Sequence, residues 1–178
     1  IEAWPVPATR VRPGIGPAIP LHCSDDFLMA CAALADALEI PLQTHLAETR
    51  MQQVAAQARY GTTLTTHLDA GAGIVHNPLS NLRLGSGTAP LRALADAGVT
   101  LGIGTDASNT SDGQNMFEAM RLAATLSRAQ AAPPDQWITV PEAFVMATEG
   151  SARIMGLTDV GRIAPGWAAD LLFLDRDY

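Results

Sequence analysis

Three short apolar segments recur along this chain at a spacing of about thirty residues, each separated from the next by a helical pattern. They are Pro41–Leu46 (PLQTHL), Gly71–His76 (GAGIVH) and Val99–Thr105 (VTLGIGT). A strand–helix unit repeated at that period predicts parallel strands joined by crossover helices. The helices expected between and around the strands follow Ser24 to Leu38, then cover Glu48 to Arg59, Ala89 to Ala97, Gln114 to Ala131 and Pro141 to Met155. Ser24-Asp25-Asp26 supplies a cap and two acids to the first helix, Pro41 stops it, and Gly98 ends the Ala89 helix. Two architectures fit this rhythm, a doubly wound sheet and part of a (β/α)8 barrel. No G-x-G-x-x-G follows any strand, so the dinucleotide-binding version lacks its fingerprint. Upstream, the proline-rich first twenty residues offer at most a short strand around Thr9 to Arg12. Beyond Gly156 the rhythm is lost, and Asp159 to Leu174 reads as two short strands around a Pro165-Gly166 turn.

Charge narrows the function. The cations are eleven arginines and no lysine against eighteen acids, for a net charge of −7. That excludes, within these residues, a Schiff-base lysine, a phosphate-loop lysine and a lysine-carbamate metal bridge. With no basic cluster to neutralise phosphates, nucleic acid is not an expected partner. No apolar run reaches the roughly 18 residues of a membrane span and no signal pattern opens the chain, so neither a membrane nor secretion is expected. Cys23 and Cys31 fit no paired metal spacing and read as two small buried residues in a reducing cytoplasm.

In parallel strand–helix architectures the reacting groups gather where strands end. His45 closes the first segment and Glu48 lies three residues on, a pairing in which an imidazole binds a metal while a carboxylate moves protons beside it. Asp106 ends the apolar strand, where an ionised side chain cannot be core and projects from the carboxyl edge. It reads either as a ligand for a divalent ion such as zinc or as a helix cap. His76 ends the middle strand just before Asn77-Pro78 and either contacts ligand or orders the polar loop that follows. His67 and His22 read as solvated.

Four motifs occur in order: His45-Leu-Ala-Glu48-Thr; His76-Asn-Pro-Leu-Ser-Asn-Leu-Arg-Leu-Gly85; Gly104-Thr-Asp106-Ala-Ser-Asn109; and Pro165-Gly-Trp-Ala-Ala-Asp170. Together they resemble the amidohydrolase superfamily, in particular the metal-dependent aminohydrolases of N-heterocycles, the chlorohydrolase and cytosine, guanine and adenosylhomocysteine deaminase group. The resemblance implies a TIM barrel, present in part (about strands 4, 5, 7 and 8), in residues 1–155, with a piece of a small β-sandwich in 156–178. It implies that His45 and Asp106 bind one divalent metal, zinc first and iron second. Glu48 and Asp106 are then the catalytic pair, Glu48 shuttling protons to the leaving nitrogen and Asp106 orienting or deprotonating the water. His76, Ser108 and Asn109 are candidates for contact with a small heterocyclic substrate such as a pyrimidine, purine, pterin or triazine. Loss of halide or alkylamine from a triazine-like ring uses the same chemistry, and a non-catalytic barrel relative is the reading from another class. A cytoplasmic homodimer is the family-based expectation.

The departures are as specific. Relatives carry a His-x-His pair after the first strand and a histidine after the sixth, and neither is found here. Residues 60–68 resemble the helix after strand five, yet the chain passes almost at once into strand seven. The resemblance therefore implies a missing segment near residues 69–72 and a longer polypeptide than 178 residues, since a full barrel takes about 250.

Overall fold

The computed structural model describes residues 5–6, 11–64, 72–130 and 132–175. The chain divides into two compact units, Ile1–Asp69 and Ala70–Tyr178, so the boundary falls where the sequence rhythm is interrupted.

In the first unit, α1 (Asp25–Leu38) begins where the Ser24 hydroxyl accepts a hydrogen bond from the Phe27 amide at 3.2 Å. It ends at Glu39, whose backbone is left-handed, two residues before Pro41. The second helix, α2 (Arg50–Tyr60), is capped by Thr49 and closed by Gly61 at φ 69°. Arg59 of α2 reaches Asp25 at the start of α1 across 2.9 Å. The expected strand at 41–46 is extended but pairs at a single position, a parallel bridge between Leu42 and Ile15. Two backbone bonds make that bridge, Ile15 N–H to Pro41 O and Gln43 N–H to Ile15 O, both 2.9 Å. A ladder cannot run back through Pro41, which has no N–H to give. Val11 and Arg12 form no strand, and the rest of the Thr9–Arg12 expectation lies outside the described residues. Cys23 and Cys31 are both free; Cys31 is buried, while Cys23 is only partly so.

The second unit contains the expected parallel pair. β1 (Ile74–His76) lies beside β2 (Leu101–Ile103) in the register Ile74↔Leu101, Val75↔Gly102, His76↔Ile103. Between them run α3 (Pro78–Arg83) and α4 (Leu91–Asp96), the latter ended by Gly98 at φ 79°. After β2 come α5 (Ser108–Ser111), α6 (Met116–Ala129), α7 (Val140–Val145), a π-helical turn (Met146–Gly150) and α8 (Ser151–Ile154). The single helix expected over 141–155 is thus one rod with an insertion. Its N-terminus is a capping box, in which Glu142 accepts from the Thr139 amide at 2.7 Å and Thr139 from the Glu142 amide at 3.3 Å.

The core forms where one face of the sheet meets the helices. Leu101 and Ile103 of β2 pack with Leu91, with the alanine stripe of α6 (Ala119, Ala123, Ala124) and with Ile138, Ala143 and Met146. Small residues on α6 let the helix approach the sheet closely. Glycine at 150 has the same purpose: a Cβ there would run into the Leu101 carbonyl oxygen. Ser151 then stitches this turn to the strand, its hydroxyl accepting from the Ile103 amide at 3.2 Å.

Residues 156–175 show no strand ladder. A turn at Pro165-Gly166 is present, with Gly166 at φ 82°, and the segment is tied across itself by Ala168 N–H to Asp159 O at 2.9 Å. An extended segment becomes a strand only beside a partner, and Leu172, Phe173 and Leu174 are largely exposed.

Candidate functional site

The first unit presents His45 and Glu48. Thr44, whose hydroxyl donates to the Ala18 carbonyl at 2.6 Å, anchors the segment just before His45, and the His45 side chain is exposed. Ala47 then takes a left-handed backbone, φ 51°, a conformation that costs an alanine about 1 kcal/mol. This kink sets Glu48 just outside the cap of α2. Gln52, only 8% exposed, takes hold of Glu48 twice. Its Oε1 accepts from the Glu48 amide at 2.9 Å and its Nε2 donates to Glu48 Oε2 at 3.5 Å. Sequence reasoning missed Gln52; the signal was there in Thr49-x-x-Gln52, a capping-box pattern directly after the glutamate.

The second unit presents the other candidates at the carboxyl edge of its parallel pair. Asp106 stands three residues beyond β2, exposed, with φ 60°. Its Oδ1 accepts from the Ala107 amide at 2.7 Å, a local bond of the kind that lets aspartate occupy the left-handed region. Of the four non-glycine residues with positive φ among the described residues, Ala47 and Asp106 adjoin or are predicted chemical residues. Ser108 and Asn109 follow on α5, both exposed. Ser111 fixes the far end of this loop, its hydroxyl donating to the Gly113 carbonyl at 2.6 Å. An ion pair between Arg83 and Asp112 ties the loop after β1 to the loop after β2.

His76 ends β1 opposite Ile103 and is 4% exposed. Side chains alternate along a strand, so His76 shares the face of Ile74, which packs against the apolar cluster that includes Leu91, Ala119 and Ala143. Burial pulls its pKa down to about 4, so the imidazole is neutral at pH 7. His67 lies outside the described residues.

His45 and Asp106 are right in kind for a divalent ion, one imidazole and one carboxylate. They are two donors, however, and zinc takes three or four ligands. Among the described residues no group of three or more His, Cys, Asp and Glu side chains comes together. Nor is any helix among them long and apolar enough to cross a membrane.

Two parallel strands joined by crossover helices, with polar groups at their carboxyl ends, define an α/β protein. Residues 7–72 and 69–178 match the Amidohydrolase family in two pieces that meet at 69–72, and the chain belongs to that family. It is 31% identical over 205 residues to a 5-methylthioadenosine/S-adenosylhomocysteine deaminase from Carboxydothermus hydrogenoformans, a match covering 99% of this chain and 47% of the relative. It is 33% identical over 195 residues to an 8-oxoguanine deaminase from Pseudomonas aeruginosa, covering 94% and 43%. Among solved structures, a zinc-bound adenosine deaminase from Xanthomonas campestris superposes with a TM-score of 0.80 at 30% identity, over 88% of this chain and 42% of that one. The zinc complex of atrazine chlorohydrolase from Arthrobacter aurescens gives 0.81 at 31%, over 93% and 43%. The chain thus spans a little under half the length of the relatives it matches.

Proposed function

We propose that this chain carries the second half of the site of a metal-dependent aminohydrolase, which replaces the amino group of a small N-heterocycle by water. The observation that carries the reading is Asp106, an exposed carboxylate in a left-handed backbone at the carboxyl end of an apolar parallel strand. A charged group so placed contributes nothing to the core and is aimed at what the strand ends surround. Membership of the Amidohydrolase family and the deaminases among the relatives support the choice of reaction.

His45 and Asp106 are the residues that would hold the ion, zinc first and iron second, with the remaining donors supplied by the length of barrel that the relatives have and these residues do not. A divalent ion, when bound, lowers the pKa of water at the site. Asp106 orients that water toward the ring carbon that bears the amino group. Glu48 takes a proton from the water and delivers it to the departing nitrogen, so that ammonia leaves and the ring keeps the oxygen. Ser108 and Asn109 line the approach to Asp106 and contact the heterocycle, while His76 acts at one remove through the loop after β1. The substrate class is that of the relatives, adenosine derivatives and oxidised guanine, with pterins and triazines as further members. The protein works in the cytoplasm, as a homodimer.

We further propose that the native polypeptide is longer than 178 residues and contains one more strand–helix unit near 69–72. The two-piece family match divides there. The C. hydrogenoformans alignment runs over 205 residues while using 99% of a 178-residue chain, so the relative contributes about thirty residues more, the size of one such unit. An intact mass of the native protein well above 18.7 kDa is expected, and a mass at that value removes the proposal.

Ammonia release tests the reaction. With zinc supplied, the full-length native polypeptide is expected to deaminate at least one compound from a panel of adenosine derivatives, oxopurines, pterins and triazines. Glu48→Gln lowers kcat by about 10²–10⁴-fold while zinc content, measured by mass spectrometry, is unchanged. Full activity in that variant removes Glu48 from the proton path.

A further inference from the structure

Resting on the acid–base reading of Glu48, we propose that Gln52 is a positioning residue, which holds the Glu48 carboxylate in place for proton transfer as well as capping its helix. The geometry departs from a simple cap. In a capping box the side chain at the third helical position reaches back to the amide of the N-cap residue itself. Here that amide belongs to Thr49, but Gln52 Oε1 accepts instead from the amide of Glu48, one residue earlier. The other end of the same carboxamide faces Glu48 Oε2 at 3.5 Å, the long limit of a hydrogen bond. Both halves of one buried amide are therefore spent on residue 48. Held at its main chain and at one carboxylate oxygen, Glu48 loses much of the rotamer freedom of an exposed glutamate, and the bond to Oε2 leaves Oε1 unengaged by Gln52 and open to a proton.

The choice of glutamine over glutamate separates the two roles. Glutamate at the third helical position caps as well as glutamine and is further favoured by the positive end of the helix dipole. It has no N–H, however, and would set a second carboxylate against that of Glu48. A residue needed only for the cap tolerates Gln52→Glu, whereas one needed to hold Glu48 does not.

The measurement is a kinetic and thermal comparison of wild type with Gln52→Glu in the zinc-supplied full chain, together with the side-chain amide resonances of Gln52 in isotope-labelled protein. Gln52→Glu is expected to stay folded, with a melting temperature somewhat below the wild type because a second carboxylate stands in a largely buried place beside Glu48, and to keep KM within about twofold, while kcat for ammonia release falls about tenfold to a hundredfold. Independently of turnover, the Gln52 Nε2 proton resonances are expected to move when Glu48 is changed to Gln. Unchanged kcat in Gln52→Glu, or resonances indifferent to Glu48→Gln, overturns the positioning role and leaves the aminohydrolase reading intact. Absence of ammonia from every compound with the wild type overturns that reading, and the role of Gln52 in proton transfer with it.

Discussion

The two units of this chain bury very different interiors. In Ala70–Tyr178 one contiguous cluster joins both strands to α4, α6 and α7, with Ala119 and Ala123 wholly inaccessible and Ile138 at 1% exposure. Among the described residues of Ile1–Asp69 the buried apolar side chains are few: Cys31, Ala35, Ala56, Leu64, Pro17 and Pro20. There α1 and α2 expose Met29 and Met51 (each 70%) and Val54 (61%). The predicted chemistry is split across this difference. Asp106 follows a strand fixed by a packed core, whereas Glu48 stands just before a helix fixed by polar contacts, those of Thr49 and Gln52. A carboxylate that has to be held still thus rests on hydrogen bonds where packing is thin.

The sharpest way to break this contrast is to spoil the packing of the second unit at its tightest point. Gly150 lies against the Leu101 carbonyl, and the obstacle to a Cβ is main chain, which cannot swing aside. Gly150→Ala is expected to cost at least about 3 kcal/mol, the upper range for overpacking. Urea unfolding followed by tryptophan fluorescence measures it. Hydrogen exchange in α1 and α2 is expected to stay unchanged in the same variant. A variant that unfolds with the wild type removes the close approach of the π-helical turn to β2 as a determinant of stability.

Much of this asymmetry was legible in the sequence, for physical reasons. The apolar run 99–105 and the Gly98 stop before it specify local structure that tertiary packing reinforces, so β2 and the end of α4 lie close to where the sequence pattern puts them, as do α6 and α7. The segment 41–46 has the same strand-like residues but bridges at one position only, because a strand is a property of a pair and its partner is not in the string of residues itself. The same holds for 156–175. The insertion at Met146–Gly150 was hidden for another reason: its side chains keep helical spacing, and only Gly150 marks where the rod must touch a strand. At the site, Glu48 and Asp106 were visible as charges at strand ends. For Gln52 the pattern Thr49-x-x-Gln52 pointed only to a helix cap, and the bond of its amide to Glu48 rather than to Thr49 lies in the geometry alone. The side of the sheet that His76 occupies was likewise open until its register partner, Ile103, proved to be core.

His76 offers a smaller and reversible test of the same contrast, because acid should act on the better-packed unit first. The first unit's described histidines, His22 and His45, are exposed. His76 is buried and neutral, with its pKa lowered from 6.5 to about 4 by burial. Between those values the unfolded chain binds a proton at this position and the folded chain does not, so stability rises with pH across the window and falls on acidification. The loss begins as pH drops through 6.5 and amounts to about 2.5 kcal/mol by pH 4.5. Protonated carboxylates add their own acid response, so the informative quantity is the difference between the wild type and a variant that cannot titrate here. His76→Phe keeps an aromatic ring on the helix-facing side of β1 and removes the titration. Its urea midpoint at pH 7 is lower or higher according to how the ring fits, but its further change between pH 7 and pH 4.5 is expected to be smaller than that of the wild type by about the same 2.5 kcal/mol. Parallel pH dependence in the two proteins shows that the His76 imidazole gains its proton without unfolding the unit, and places it outside the core that β1 and β2 share.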